Sequence, residues 1–162
     1  FNGAVPVPAD YDGDGKTDIA IFSPASGRWY ILQSSTLTMM SGAPINWGWS
    51  TTHPVPADFN GDGKADLAVY YPAAGKWYVL QTSNWQMYMN GAISHGWSAA
   101  IPVPGDFDGD HRADPTVYHP QSGNWYILPS SGGGMITRNW GFNGAQPVSP
   151  QYYINRRLGF RP

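Results

Sequence analysis

Three nine-residue segments, "DYDGDGKTD" at 10–18, "DFNGDGKAD" at 58–66 and "DFDGDHRAD" at 106–114, concentrate carboxylates at a spacing suited to gripping a hard cation. All 11 acidic residues of the chain are Asp, and all of them fall in these segments. Solvation alone would scatter them over the surface. Two carboxylates about 4 Å apart repel by roughly 4 kcal/mol at an effective dielectric near 20, and a divalent ion removes that cost. Side-chain oxygens at positions one, three and five, a backbone carbonyl at seven and a carboxylate at nine can wrap one Ca²⁺. The predicted ligands are Asp10, Asp12, Asp14, Lys16 and Asp18 in the first loop and Asp58, Asn60, Asp62, Lys64 and Asp66 in the second. In the third they are Asp106, Asp108, Asp110, Arg112 and Asp114, with Lys16, Lys64 and Arg112 acting through their carbonyls. Oxygen ligands without His or Cys disfavour Zn²⁺ and copper, and Mg²⁺ takes fewer protein ligands. The expectation is about three Ca²⁺, one per loop.

The loops are not equivalent. The first has four carboxylates and Gly15 at the sharp turn of position six; the second has Asn60 in place of one carboxylate. The third has His111 where the others have glycine. A side chain in the left-handed region costs on the order of 1–2 kcal/mol, so the first loop is expected to bind most tightly.

The frame that positions these loops is a repeat. Asp10, Asp58 and Asp106 are 48 residues apart, and Trp29, Trp77 and Trp125 keep the same step. Each loop runs into a short apolar or β-branched stretch, "DIAIF", "DLAVY" or "DPTVY". The turns "SPASG", "YPAAG" and "HPQSG" follow, in which Pro fixes φ and Gly supplies a positive one. Then come "RWYILQ", "KWYVLQ" and "NWYILP", whose large residues at every position predict a strand buried on both faces. With a variable outer segment this makes about four strands per 48 residues, the size of a propeller blade. The fold class is therefore all-β: three tandem blades of about four antiparallel strands, in an incomplete ring or open array.

The repeats are expected at about 1–48, 49–96 and 97–141, followed by a partial leading strand at 142–151 and a tail at 152–162. "FNGAVPVPAD" at the start matches "FNGAQPVSPQ" at 142–151, so the chain ends where a fourth acidic loop would begin. Three blades cannot close a ring of the usual 4–8, and open sheet edges invite pairing. Self-association or further blades are expected. Phe1 in place of an initiator Met reads as a processed or excised chain.

Composition narrows the partners. A formal charge of −2 gives no electrostatic footprint for nucleic acid, and Arg156, Arg157 and Arg161 read as a solvated tail feature. No apolar run approaches the roughly 20 residues of a membrane span. Cys is absent, so no disulfide framework exists; bound ions can brace loops instead.

"DYDGDGKTD" between short strands, with "FNGAVP" upstream and "SGRWYIL" downstream, resembles the VCBS/FG-GAP repeats of bacterial secreted proteins, which are related to the integrin α-subunit propeller. The resemblance covers residues 1 to about 151. It implies that each repeat is a blade with calcium in an inter-strand loop, and that the module serves extracellular adhesion or ligand binding. Fungal lectins of similar build bind sugars, which makes carbohydrate a candidate ligand.

Two functions follow. The first is a secreted, calcium-stabilised binding module, adhesive or lectin-like. Its candidate ligand residues are Trp47, Trp49, Trp97 and Trp140 in "NWGWS", "SHGWS" and "NWGFN", since an indole face can stack on a sugar. Trp49, Trp97 and Phe142 share a repeat position, which suits packing between blades; Trp47 reads as out of register and is the better ligand candidate. The second is a structural subunit of a self-assembling extracellular fibre or oligomer. Catalysis is not expected: the chain has no Glu, and calcium claims every Asp. A non-catalytic appendage of a secreted enzyme is the remaining alternative.

Overall fold

The computed structural model describes residues 3–42 and 44–148. The tail 152–162 with its arginines, Phe1, and the end of the 142–151 segment lie outside the described residues. Among the described residues, twelve strands form three antiparallel sheets of four, each a meander in chain order. The first blade is β1 (Val5–Pro6), β2 (Ile19–Ser23), β3 (Arg28–Leu32) and β4 (Ile45–Asn46). The second is β5 (His53–Pro54), β6 (Leu67–Tyr71), β7 (Lys76–Leu80) and β8 (Ile93–Ser94). The third is β9 (Ile101–Pro102), β10 (Thr116–His119), β11 (Asn124–Ile127) and β12 (Ile136–Asn139). The protein is all-β, with open propeller-like blades as the repeat predicts.

The turn between second and third strands shows why glycine recurs there. Gly27, Gly75 and Gly123 have φ of 66°, 60° and 70°, a region that penalises any Cβ. A Cβ on Gly27 or Gly75 would also meet the Gly48 or Gly96 carbonyl oxygen at 2.1 Å. The same hairpin sets an aromatic pair directly across the strands: Phe22 opposite Trp29, Tyr70 opposite Trp77, Tyr118 opposite Trp125. Each Trp then donates its indole N–H to a carbonyl near the fourth strand, that of Trp47, His95 or Trp140, at 2.7–2.9 Å.

The strand expected to be buried on both faces is not β3 or β7. In β3, Trp29 and Ile31 are buried while Arg28 is exposed and Tyr30 and Leu32 are half-buried. The strands enclosed on both faces are second strands, β6 buried from Leu67 to Tyr70 and β10 buried from Thr116 to Tyr118. Each is covered by the blade before it, whereas the second face of β7 is only half covered, by Trp47 and Trp49 at Tyr78.

Two core clusters run across a blade junction. Tyr11, Phe22, Trp29 and Ile31 of the first blade cluster with Ala65, Leu67 and Val69 of the second. Phe59, Tyr70, Trp77 and Val79 of the second cluster with Ala113 and Val117 of the third. A third cluster, Ile101, Val103 and Tyr118 with Trp125 and Ala145, belongs to the third blade and the segment after it.

Candidate metal centre

Each acidic loop joins the first and second strands of its blade. Its base is closed by a bond from the ninth residue back to the strand: the N–H of Asp18, Asp66 and Asp114 donates to the carbonyl of Ala9, Ala57 and Gly105 at 2.8 Å. These three Asp side chains are fully buried, which is tolerable only with strong partners. Each accepts two backbone N–H bonds. Tyr11, Phe59 and Phe107 donate from position two at 2.8, 3.1 and 2.8 Å. Ser34, Thr82 and Ser130 donate from the turn after the third strand at 2.7, 3.1 and 2.7 Å.

Position one is held by the loop itself. Asp10 accepts from the N–H groups of Gly13 and Gly15, Asp58 from Gly61 and Gly63, and Asp106 from Gly109 and His111, at 2.6–3.0 Å. Position six is left-handed in all three loops, φ 83° at Gly15, 82° at Gly63 and 68° at His111. The turn is preserved in the third loop even though a side chain must be carried there.

Of the predicted ligands, positions one, three and nine converge. Oxygens of Asp10, Asp12 and Asp18 all lie within 4.8 Å of one another, as do those of Asp106, Asp108 and Asp114. Ligands 2.3–2.6 Å from one ion cannot be more than about 5 Å apart, so both groups fit a shared hard cation. Position five stands apart: Asp14 accepts from the Lys16 N–H at 2.8 Å and the Ser34 hydroxyl at 3.1 Å. Asp110 likewise accepts from the Arg112 N–H at 2.9 Å and the Ser130 hydroxyl at 2.7 Å. The middle loop brings no three carboxylates together among the described residues. There Asn60 donates to Asp62 at 3.0 Å, and Asp62 accepts from the Lys64 N–H at 2.9 Å.

Electrostatics follow this geometry. Burial pushes the Asp66 carboxyl up to about 7, with the Asp62 and Asp58 charges adding to it and the Thr82 and Phe59 N–H groups opposing. The Ser35 hydroxyl holds Asp12 below the usual carboxylate range, and the Ser131 hydroxyl does the same for Asp108. At Asp62 burial works against ionisation, but Ser83, the Lys64 N–H and Asn60 outweigh it.

The hydroxyl pairs Ser34–Ser35, Thr82–Ser83 and Ser130–Ser131 were not among the predicted site residues. They sit over the loops from the turn after the third strand: Ser35 donates to Asp12, and Ser131 to Asp108 at 2.6 Å. The signal was present, since they recur at the 48-residue step, but only the fold brings residues 20 or more positions apart together.

The loops also touch one another. The Ala65 N–H donates to the Asp10 carbonyl at 2.7 Å, and the Ala113 N–H to that of Asp58 at 2.6 Å. The Lys64 side chain lies across Gly13 of the first loop and Arg112 across Gly61 of the second. These basic residues, expected to contribute through carbonyls alone, also brace the preceding loop.

The four tryptophans separate. Trp47 is in register after all: its indole N–H donates to the Tyr78 carbonyl at 3.2 Å, and His95, 48 residues on, bonds through Nε2 to the Tyr126 carbonyl at 2.9 Å. Trp49 meets Tyr71 and Tyr78 edge-on at 5.2 and 5.3 Å, and Trp97 meets His119 and Tyr126 at 5.5 and 5.2 Å. All three work between blades. Trp140 is exposed.

The FG-GAP-like repeat family matches this chain twice, over residues 10–69 and 58–114, the two spans overlapping in the second acidic loop. No curated protein and no solved structure matches the chain.

Proposed function

Because this chain belongs to the FG-GAP-like repeat family, we propose that it is a secreted, calcium-braced repeat module for extracellular binding or adhesion. The observation that carries this is the convergence of Asp10, Asp12 and Asp18, repeated by Asp106, Asp108 and Asp114, in loops whose turns are already formed. Calcium bound there would neutralise clustered charge and fix the strand entering each blade; it would supply rigidity rather than reaction chemistry. The affinity order follows the donors. The first loop binds most tightly, and the second, with Asn60 and no three-carboxylate group among the described residues, most weakly.

Removal of calcium is the test. Chelation by EDTA is expected to lower the melting temperature, and calorimetric titration to return unequal sites. An unchanged melting curve after exhaustive chelation, with no heat of binding, would exclude the proposal. A carbohydrate ligand rests first on Trp140 and next on Trp49, which keeps 39% exposure beside Tyr71 and Tyr78, while Trp47 and Trp97 are half-buried between blades. Replacing Trp140 by Ala should reduce any glycan signal seen in calcium. The alternative of an assembling subunit is favoured by a separate observation, the unequal exposure of the terminal blades.

A further inference from the structure

We propose that the open face of the third blade docks onto the open face of the first blade of a second copy of this chain, head to tail, repeating the contacts that join blades within one chain. Two such junctions are already present, and they are alike. In each, the incoming blade contributes small and aliphatic residues to its neighbour's aromatic core: Ala65, Leu67 and Val69 at the first junction, Ala113 and Val117 at the second. Each also places one backbone bond between acidic loops, Ala65 N–H to Asp10 or Ala113 N–H to Asp58. Each lays a basic side chain over the neighbour's loop glycine.

The third blade carries the aromatic half of a third junction, and among the described residues only the segment leading to Val148 lies against it. Phe107 is 45% exposed, whereas Tyr11 and Phe59 at the same repeat position are 0% exposed. Trp140 is 83% exposed where Trp47 is half-buried and His95 buried. The Tyr70 hydroxyl donates to the Trp97 carbonyl at 2.8 Å, but among the described residues the equivalent buried Tyr118 hydroxyl has no partner. A cavity of about 700 Å³ opens between Tyr118, Trp125, Trp140 and Phe142. Among the described residues nothing lies near Gly109, and nothing donates to the Asp106 carbonyl.

The first blade carries the complementary half. Ile19 is 70% exposed, against 0% for Leu67. Thr17 is exposed and Ile21 half-buried, where Ala65 and Val69 are buried. Lys16 stands where Lys64 and Arg112 brace a loop, and its side chain is largely exposed. The two faces differ from one another and match each other, so association is heterologous and gives a ring if the rotation closes or an array if it does not.

The proposal does not rest on calcium, and one experiment separates the two. The full chain is followed by sedimentation velocity over a wide concentration range, in calcium and in EDTA, beside Ile19→Asp and Trp140→Asp. Both positions are exposed in a single chain, so each variant monomer should keep the wild-type circular dichroism. The wild type is expected to form dimers or larger species, each variant alone to be monomeric, and an equimolar mixture to give a 1:1 dimer through the two intact faces. A wild type that stays monomeric at every concentration overturns the proposal and leaves the faces to further blades or another protein. Variants that still assemble, or a mixture that stays monomeric, overturn it as well. Assembly that persists in EDTA with an unchanged melting temperature would count against calcium and not against the junction.

Discussion

At position six of the acidic loops the backbone is left-handed whichever residue is present, and the consequences differ by side chain. Gly15 has open space where a Cβ would go, so Gly15→Ala carries backbone strain alone and should cost about 1–2 kcal/mol. His111 already bears that strain at φ 68°; His111→Gly should gain about 0.5–1 kcal/mol after the entropy of glycine is subtracted. Denaturant melts in calcium check both. Asp66 makes a second residue-scale prediction. Its pKa of about 7 in the folded chain lies above the ordinary 3.8, so the folded state holds the proton more tightly. That contribution is complete below 3.8 and is lost as pH rises through about 7. Metal-free protein should therefore become less stable across this window, read from melting temperatures at a series of pH values. With calcium the trend should reverse, since the ion competes with the proton for the same oxygens. The clustering of carboxylates was legible in the Asp spacing, and positions one, three and nine converge in the first and third loops. The special role of position nine was not, because its burial and its bond to the turn around residues 34, 82 and 130 arise from strand pairing.

At the scale of elements, the blade is a hairpin pinned by one glycine and one tryptophan. Gly75 combines left-handed φ with a carbonyl oxygen 2.1 Å from any Cβ it might carry. That oxygen is backbone and cannot swing aside. Gly75→Ala should cost about 3 kcal/mol or more, well beyond Gly15→Ala, in side-by-side thermal melts. The turn motifs and the strand order could be read from Pro, Gly and the 48-residue step. Which strand is enclosed on both faces could not: "RWYILQ" and "DLAVY" are both apolar, and the neighbouring blade decides between them. Trp47 illustrates the same limit. Its register with His95 is hidden because an indole and an imidazole share only a ring N–H that reaches the same kind of carbonyl.

For the whole molecule, three bound Ca²⁺ would take the formal charge from −2 to +4, two units per ion. Native electrophoresis should show mobility toward the anode lost on adding calcium and restored by EDTA. The sequence by itself determined the repeat, its blade-like strand content and the acidic loops, because each is encoded within some 48 residues by local spacing and turn chemistry. Only the tertiary structure decided which carboxylates converge, that hydroxyls from a distant turn serve them, and that two of the core clusters run across a blade junction. The physical reason is that a blade alone leaves Phe107 and Ile19 open, whereas a neighbour covers their counterparts Tyr11, Phe59 and Leu67. Exposure at Phe107 and Ile19 therefore depends on stacking, which no local pattern records.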